Sequence, residues 1–141
     1  MIVTCTKCNT PNRLPAARMR DRANCAACKT SLLPLTHPIA ITSKEDFDEL
    51  VRDAPAPVLV DFWAAWCGPC RTVAPELEKL ASKRSRDVIV AKVDTDALPD
   101  VAARFGIQSI PTMIVFRGGN EADRVSGAMP ASAIEARLSL S

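Results

Sequence analysis

Apolar and polar residues alternate along most of this chain in patterns typical of buried strands and amphipathic helices. Short apolar runs rich in β-branched residues predict strands over residues 39–41, 58–63, 88–93 and 112–116. A turn at residues 118–120 then predicts a hairpin in which residues 121–126 return along the last of these strands. Apolar residues three and four positions apart predict four helices, with buried faces formed by Phe47, Leu50 and Val51, by Val73, Leu77, Leu80 and Ala81, by Leu98, Val101, Ala102 and Phe105, and by Ile134 and Leu138.

The order of these elements, βαβαβαββα, predicts an α/β fold. Its central sheet should be mixed, parallel in its first half and closed by the antiparallel hairpin, with helices on both faces. The first helix should begin after Ser43, because an acidic residue, Asp46, follows three positions later.

The first 35 residues do not share this pattern. They contain few large apolar side chains, too few to offset the entropy of ordering so short a segment. Pro34 and Pro38 disfavour regular structure and mark a boundary. We therefore expect two domains, residues 1–35 and residues 36–141, with the single histidine, His37, in the linker between them.

The composition is that of a globular protein: 48% of the 141 residues are hydrophobic, enough for a packed core. No apolar run approaches the roughly 18 residues that a membrane span needs. The start of the chain lacks a basic region followed by a hydrophobic stretch, so no secretory signal is visible. We expect a cytoplasmic protein that does not associate with membranes.

The net charge of +2 is unevenly distributed, since residues 1–34 carry six basic residues and one acidic residue. Such a basic face could meet nucleic acid or an acidic partner. A solvated surface on a small module explains it as well, and we do not expect a nucleic-acid partner.

The six cysteines form three Cys-x-x-Cys pairs, and the first two pairs have the spacing of a four-cysteine zinc site. One structural Zn²⁺ would supply the stability that this segment lacks, and four thiolates would leave no open position for catalysis. Two reversible disulfides are the alternative. Neither pair is followed by glycine, since Asn9 and Lys29 stand there, which leaves the turn geometry open. The expected metal ligands are Cys5, Cys8, Cys25 and Cys28.

The third pair, Cys67 and Cys70, follows a predicted strand and precedes a helix predicted to begin near Arg71. This context favours redox chemistry over half of a zinc site. Unpaired N–H groups and the helix dipole favour a thiolate at Cys67, and Cys70 is close enough to close a disulfide. We therefore expect Cys67 to be the nucleophile and Cys70 the resolving thiol, with no organic cofactor. Asp61 lies within the apolar strand before them, where an unpaired carboxylate should have a raised pKa.

Residues 58–70, VLVDFWAAWCGPC, resemble the active-site sequence of the thioredoxin family. The resemblance extends from about Pro38 to the end of the chain, through Pro75, Lys92, residues 110–112, Gly119 and Gly127. It implies a thioredoxin fold and a protein disulfide reductase that acts on protein disulfides and receives electrons from thioredoxin reductase. Residues 1–35 are similar to the N-terminal zinc module of the thioredoxin-2 subfamily, which matches in the four cysteines, residues 12–15 and Asp21.

The resemblance also implies roles for further residues. Asp61 would be the buried proton acceptor that helps to deprotonate Cys70, with Lys92 as its partner, although the two could be unrelated charges on edge strands. A cis peptide bond before Pro111 would leave the backbone of Ile110 free to pair with an extended substrate. Trp66 would be an exposed wall of the docking surface, or else a core residue. The expected substrate-binding residues are Trp66, Gly68, Pro69, Ile110, Pro111 and Gly127.

Two other functional hypotheses are compatible with the sequence. A binding or chaperone protein would use the basic zinc module for recognition and the second domain as a scaffold. A disulfide oxidase or isomerase would need a more oxidising dithiol, whereas the dipeptide Gly68-Pro69 resembles that of the reductases. Ser126 departs from the apolar residue that is common in the family, which leaves the substrate preference open.

Overall fold

The computed structural model describes residues 1–140 and confirms the predicted fold class, a mixed central sheet flanked by helices. From residue 39 onward the elements follow the predicted order. The strands are β1 (Ile2–Thr4), β2 (Pro11–Arg13), β3 (Ile39–Ala40), β4 (Val58–Trp63), β5 (Ile89–Asp94), β6 (Thr112–Arg117) and β7 (Asn120–Ser126), and the helices are α1 (Lys44–Asp53), α2 (Gly68–Lys83), α3 (Pro99–Arg104) and α4 (Ala131–Arg137). Over residues 1–140, no helix combines the length and the apolar character that crossing a membrane requires.

The five-stranded sheet has the order β3-β5-β4-β6-β7. Strands β3, β5 and β4 run parallel, and β6 and β7 are antiparallel to their neighbours, as predicted. Strand β4 lies in the middle, with Asp61 opposite Lys92 of β5 and opposite Met113 of β6. The loop that follows β4 therefore begins at the end of the central strand of the sheet.

Alternate residues of β4 contribute to the two halves of the core, because successive side chains of a strand point to opposite faces. Val60 and Phe62 belong to a cluster that includes Phe47 of α1, whereas Leu59 belongs to a second cluster with Leu77 of α2. Asp61 shares the alternation of Leu59 and so lies on the α2 face. This is the face from which Cys70 approaches the sheet.

Helix α2 begins at Gly68, three residues earlier than the sequence pattern predicts. Cys67 is the N-cap, and its Sγ accepts a hydrogen bond from the backbone N–H of Cys70 at 3.2 Å. Pro69 lies in the first turn, where the missing N–H needs no partner. The start of α1 agrees with the prediction, since the Ser43 hydroxyl accepts from the Asp46 N–H at 3.1 Å.

The cysteine-rich segment (residues 1–35) contains an antiparallel hairpin that the sequence analysis did not predict. Strands β1 and β2 pair with Val3 opposite Asn12, and a 3₁₀ turn at Ala16–Arg18 follows. Three-residue strands are too short to show a clear periodicity, which is why the pattern missed them.

The cysteine-rich segment packs directly against α1. Its buried residues Val3, Leu14 and Met19 belong to the same apolar cluster as Phe47 and Leu50. Two of its backbone groups also donate to carboxylates of α1: Ile2 N–H to Asp46 at 3.0 Å, and Ala16 N–H to Glu49 at 2.7 Å. The two predicted domains thus share one core, and the boundary at residues 35/36 stays a prediction.

Candidate functional site

The central feature of the site is a disulfide between Cys67 and Cys70, whose Cα atoms are 5.3 Å apart. Both residues are only 4% exposed, and both pack with Ala64 in a small cluster that Trp63 and Ile110 cover in part. Their surroundings differ. Cys67 caps the helix and its Sγ lies 3.6 Å from the carbonyl oxygen of Ile110, whereas Cys70 borders a cavity that opens to the surface.

That cavity joins Cys70 to Asp61. It has a volume of about 250 Å³, and both residues line it together with Lys92 and Arg71. Asp61 is 1% exposed, and within residues 1–140 no hydrogen-bond partner reaches its Oδ1. Burial, partly offset by the positive charge of Lys92, raises the pKa of Asp61 from 3.8 to about 7. A carboxyl group with such a pKa can hold or release a proton near neutral pH.

Lys92 is half-buried and lies beside Asp61 on the neighbouring strand. Its Nζ sits 4.5 Å from the centre of the Trp63 ring, a cation–π arrangement. The charge of Lys92 is therefore stabilised by the ring as well as by Asp61.

A loop before β6 forms the other wall of the site. The Ile110–Pro111 peptide bond is cis, as the resemblance implied. Gly127, with φ of +100°, follows β7 and donates its N–H to the carbonyl oxygen of Pro111 at 2.9 Å. Ile110, Pro111 and Gly127 are thus brought together, with the Ile110 carbonyl next to Cys67, and Gly68 and Pro69 are exposed.

Trp66 is a surface residue, 68% exposed, and its indole N–H donates to Asp96 at 3.0 Å. Trp66 is therefore exposed, as one of the two sequence-based alternatives predicted, and is not a core tryptophan. Asp96 is a partner that the sequence analysis did not identify. It follows β5, and only the fold brings it to the loop after β4.

The other four cysteines meet at one point, although they lie in two separate turns. Their Sγ atoms are all within 4.8 Å of one another. The distances are 3.7 Å between Cys5 and Cys28 and 3.5 Å between Cys8 and Cys25. A tetrahedral ion with Zn–S bonds of about 2.3 Å would separate its sulfur ligands by about 3.8 Å. The four thiols therefore fit a metal ion of this kind.

The two turns that carry these cysteines have the same construction. Asn9 and Lys29 take positive φ values of 61° and 65°, so the conformation that glycine would favour is formed without it. Two residues after each pair, Thr10 Oγ1 lies 3.1 Å from Cys8 Sγ and Thr30 Oγ1 lies 3.2 Å from Cys28 Sγ. The repeat Cys-x-x-Cys-x-Thr in the sequence could have predicted both hydroxyl contacts.

Asn12, which is buried, joins the two turns. Its side-chain oxygen accepts from the Ala26 N–H at 2.9 Å, and its amide donates to the Thr10 carbonyl at 3.0 Å. The Cys28 N–H above all, and the Asn12 side chain to a smaller extent, lower the pKa of the Cys25 thiol from 9.0 to about 6 against the effect of burial. This sulfur is thus held in an environment that favours the thiolate, the form in which a cysteine binds metal.

Comparison with known proteins agrees with this site. The model of the family described as "Thioredoxin" matches residues 38–139. The chain belongs to the thioredoxin family. Members of this family are disulfide oxidoreductases, and the Cys67–Cys70 pair is the redox-active group of that chemistry.

Two relatives and one solved structure illustrate the range of similarity. Thioredoxin C-3 of Corynebacterium nephridii is 39% identical over 129 residues, which cover 92% of this chain and 87% of that protein. This alignment is longer than the family match and so extends into the cysteine-rich segment. Thioredoxin 1 of Nostoc sp. is 48% identical over 92 residues, covering 65% of this chain and 86% of that protein. The crystal structure of Malassezia sympodialis thioredoxin has a TM-score of 0.66 at 35% identity and covers 74% of this chain and 91% of that one.

Proposed function

We propose that this member of the thioredoxin family is a protein disulfide reductase that carries an accessory zinc module of the thioredoxin-2 type. The observation that carries the assignment of roles is the cavity shared by Asp61 and Cys70, which does not include Cys67 among its lining residues. A proton acceptor next to only one of two thiols suits a reaction in which the thiols act in sequence.

In the first step, the Cys67 thiolate attacks one sulfur of the substrate disulfide. A mixed disulfide forms, and the other substrate sulfur leaves as a thiolate and takes a proton from water. The position of Cys67 supports this role, because the Cys70 N–H and the N-terminus of α2 stabilise a negative charge on Cys67 Sγ.

In the second step, Cys70 transfers its proton to the Asp61 carboxylate through the cavity. The resulting thiolate attacks Cys67 Sγ, the second substrate sulfur leaves, and the Cys67–Cys70 disulfide forms. Asp61 then loses the proton to solvent. Lys92 keeps the pKa of Asp61 from rising further, so the carboxyl group remains able to exchange its proton near pH 7.

The substrate would bind as an extended chain along the loop at Ile110, since an exposed backbone can pair with a strand. Trp66, Gly68, Pro69, Pro111 and Gly127 would complete this surface. A protein with these roles would work in a reducing compartment such as the cytoplasm and would receive two electrons per cycle from thioredoxin reductase.

Residues 1–35 would form the zinc module and residues 36–141 the catalytic domain. The four thiolates Cys5, Cys8, Cys25 and Cys28 would hold one Zn²⁺ in a closed tetrahedral site, where the ion supplies folding energy and has no open position for a substrate. The sulfur–sulfur distances and the shared turn construction support this donor set.

The decisive experiment is insulin reduction by the full chain with NADPH and thioredoxin reductase, together with the equilibrium potential of the dithiol against glutathione. We expect turnover and a potential near −270 mV, a value taken over from thioredoxins in general. A potential near −120 mV would instead indicate a disulfide oxidase. Zinc content of the purified protein, measured before and after chelation, tests the module.

A further inference from the structure

Two hydroxyl groups and one carbonyl group form a hydrogen-bonded chain beside the loop that carries Pro111. Thr112 Oγ1 lies 2.6 Å from the carbonyl oxygen of Ser109 and 2.8 Å from Ser126 Oγ. A carbonyl oxygen can only accept, so the single hydroxyl proton of Thr112 is donated to Ser109. The contact between the two hydroxyls then needs its proton from Ser126.

Ser126 is consequently left as an acceptor. Its one proton is used in the bond to Thr112, and two lone pairs remain on Oγ. Thr112 is buried, whereas Ser126 is exposed at the end of β7. A group from outside the protein can therefore reach Ser126 Oγ, and only a donor can bond to it.

Ser126 also lies at the border of the proposed substrate surface. It pairs in the sheet with Thr112, the residue after Pro111, and it precedes Gly127, whose N–H donates to the Pro111 carbonyl. Two residues of the proposed substrate surface, Pro111 and Gly127, therefore adjoin the strand pair that carries this oxygen.

We propose that Ser126 is a specificity-determining residue that favours disulfide substrates with a hydrogen-bond donor near the reacting cysteine. This inference rests on the proposed disulfide reductase function. A donor side chain replaces the water on Ser126 Oγ with a protein–substrate bond. A side chain that can only accept loses its hydrogen bond to water when it faces the lone pairs of Ser126 Oγ, and it forms no new bond there. This difference in hydrogen bonding is the reason why substrates with a donor would be preferred.

The test uses synthetic peptide disulfides that differ in one residue, placed in turn at each of the two positions on either side of the cysteine. Glutamine and glutamate γ-methyl ester form the matched pair, because both are neutral and similar in shape and only glutamine donates. At one of these positions we expect kcat/KM to be about three- to tenfold higher for the glutamine peptide, the range of one net hydrogen bond. Ser126→Ala should abolish the preference, whereas Ser82→Ala, at an exposed position of α2, should leave it unchanged.

Thr112→Val provides a second test, whose expected result would not occur if Ser126 had only a structural role. Valine cannot accept the Ser126 proton, so the hydroxyl becomes free to donate. We expect the preference for glutamine to shrink below twofold, with an increase in kcat/KM for the ester peptide. The melting temperature of this variant checks that the buried substitution leaves the domain folded. If it unfolds, Ser126→Ala alone decides.

The outcomes separate this inference from the function on which it rests. If the wild-type protein reduces both peptides at equal rates at all four positions, or if Ser126→Ala retains the preference, the specificity role is wrong and the reductase function stands. If the wild-type protein reduces none of the peptides and also fails with insulin, the reductase function is wrong and the specificity role falls with it.

Discussion

Replacing Asp61 by asparagine should stabilise the folded protein near neutral pH, and the gain should depend on pH. The carboxyl group is buried with an unpaired Oδ1, and burial raises its pKa from 3.8 to about 7. The folded state therefore disfavours the ionised form of the Asp61 carboxyl group, whereas in the unfolded chain this group ionises at its usual pKa. Asparagine has nearly the same shape and no charge. Lys92 does not become an unpaired buried charge in the variant, because it is half-buried and keeps its contact with the Trp63 ring.

The magnitude follows from the pKa difference, since one pKa unit corresponds to about 1.36 kcal/mol. Below pH 3.8 the carboxyl group is protonated in both states and contributes no difference. Between pH 3.8 and about 7 the unfolded state ionises and the folded state does not, so the free energy of unfolding of the wild type falls by about 1.4 kcal/mol per pH unit. Above pH 7 the loss is complete at about 4 kcal/mol. Unsatisfied N–H groups of asparagine reduce the gain by about 1–2 kcal/mol at every pH.

The assay is urea unfolding of oxidised wild type and Asp61→Asn from pH 4.5 to 8, followed by tryptophan fluorescence. The quantity of interest is the difference between the two proteins at each pH, because the titration of all other groups, including the metal ligands, cancels. Asp87→Asn is the matched control, since Asp87 is 68% exposed and its variant should follow the wild type within about 0.5 kcal/mol at all pH values. A difference between wild type and Asp61→Asn that stays constant from pH 4.5 to 8 would refute the reasoning.

The remaining predictions concern the two cysteine sites and the contact between the cysteine-rich segment and α1. Cys67→Ser should abolish insulin reduction, and Cys70→Ser should accumulate mixed disulfides visible by mass spectrometry. Alkylation of Cys70 before Cys67 in the reduced protein would reverse the roles. Asn12→Leu should weaken zinc binding at least tenfold in a chelator competition, because it separates the two turns, and equal affinity would contradict this. Glu49→Ala should lower the free energy of unfolding by about 1–3 kcal/mol in the same urea assay, because the Ala16 N–H loses its acceptor and the buried Met1 ammonium group loses its ion pair. Glu49→Gln should recover only the part due to the Ala16 N–H, since glutamine carries no charge.

Much of the catalytic fold was predictable because its signals are local. Strands β3 to β6 coincide within a residue or two with apolar runs, β7 was predicted from the turn that precedes it, and Ser43 fixes the start of α1. Cys67 was correctly placed at the start of α2, whereas the first helical residue was predicted three positions too late, because a sulfur that accepts a hydrogen bond has no strong sequence signature. Contacts made across the fold, such as Trp66 with Asp96, were not predictable at all. They join loops whose proximity depends on how β4 and β5 pair.

The packing of the cysteine-rich segment onto α1 was missed for a different reason. Taken alone, its few apolar residues look insufficient for a core, and that reasoning is correct only for an isolated segment. In the structure Val3 and Leu14 complete a cluster built mainly by α1 and the sheet, so they are stabilised by apolar area that the rest of the chain supplies. Hydrogen bonds from Ile2 and Ala16 to α1 fix the orientation of this contact. Metal binding at the four cysteines would therefore act on the stability of α1 as well as on its own turns, because unfolding either surface exposes the same cluster.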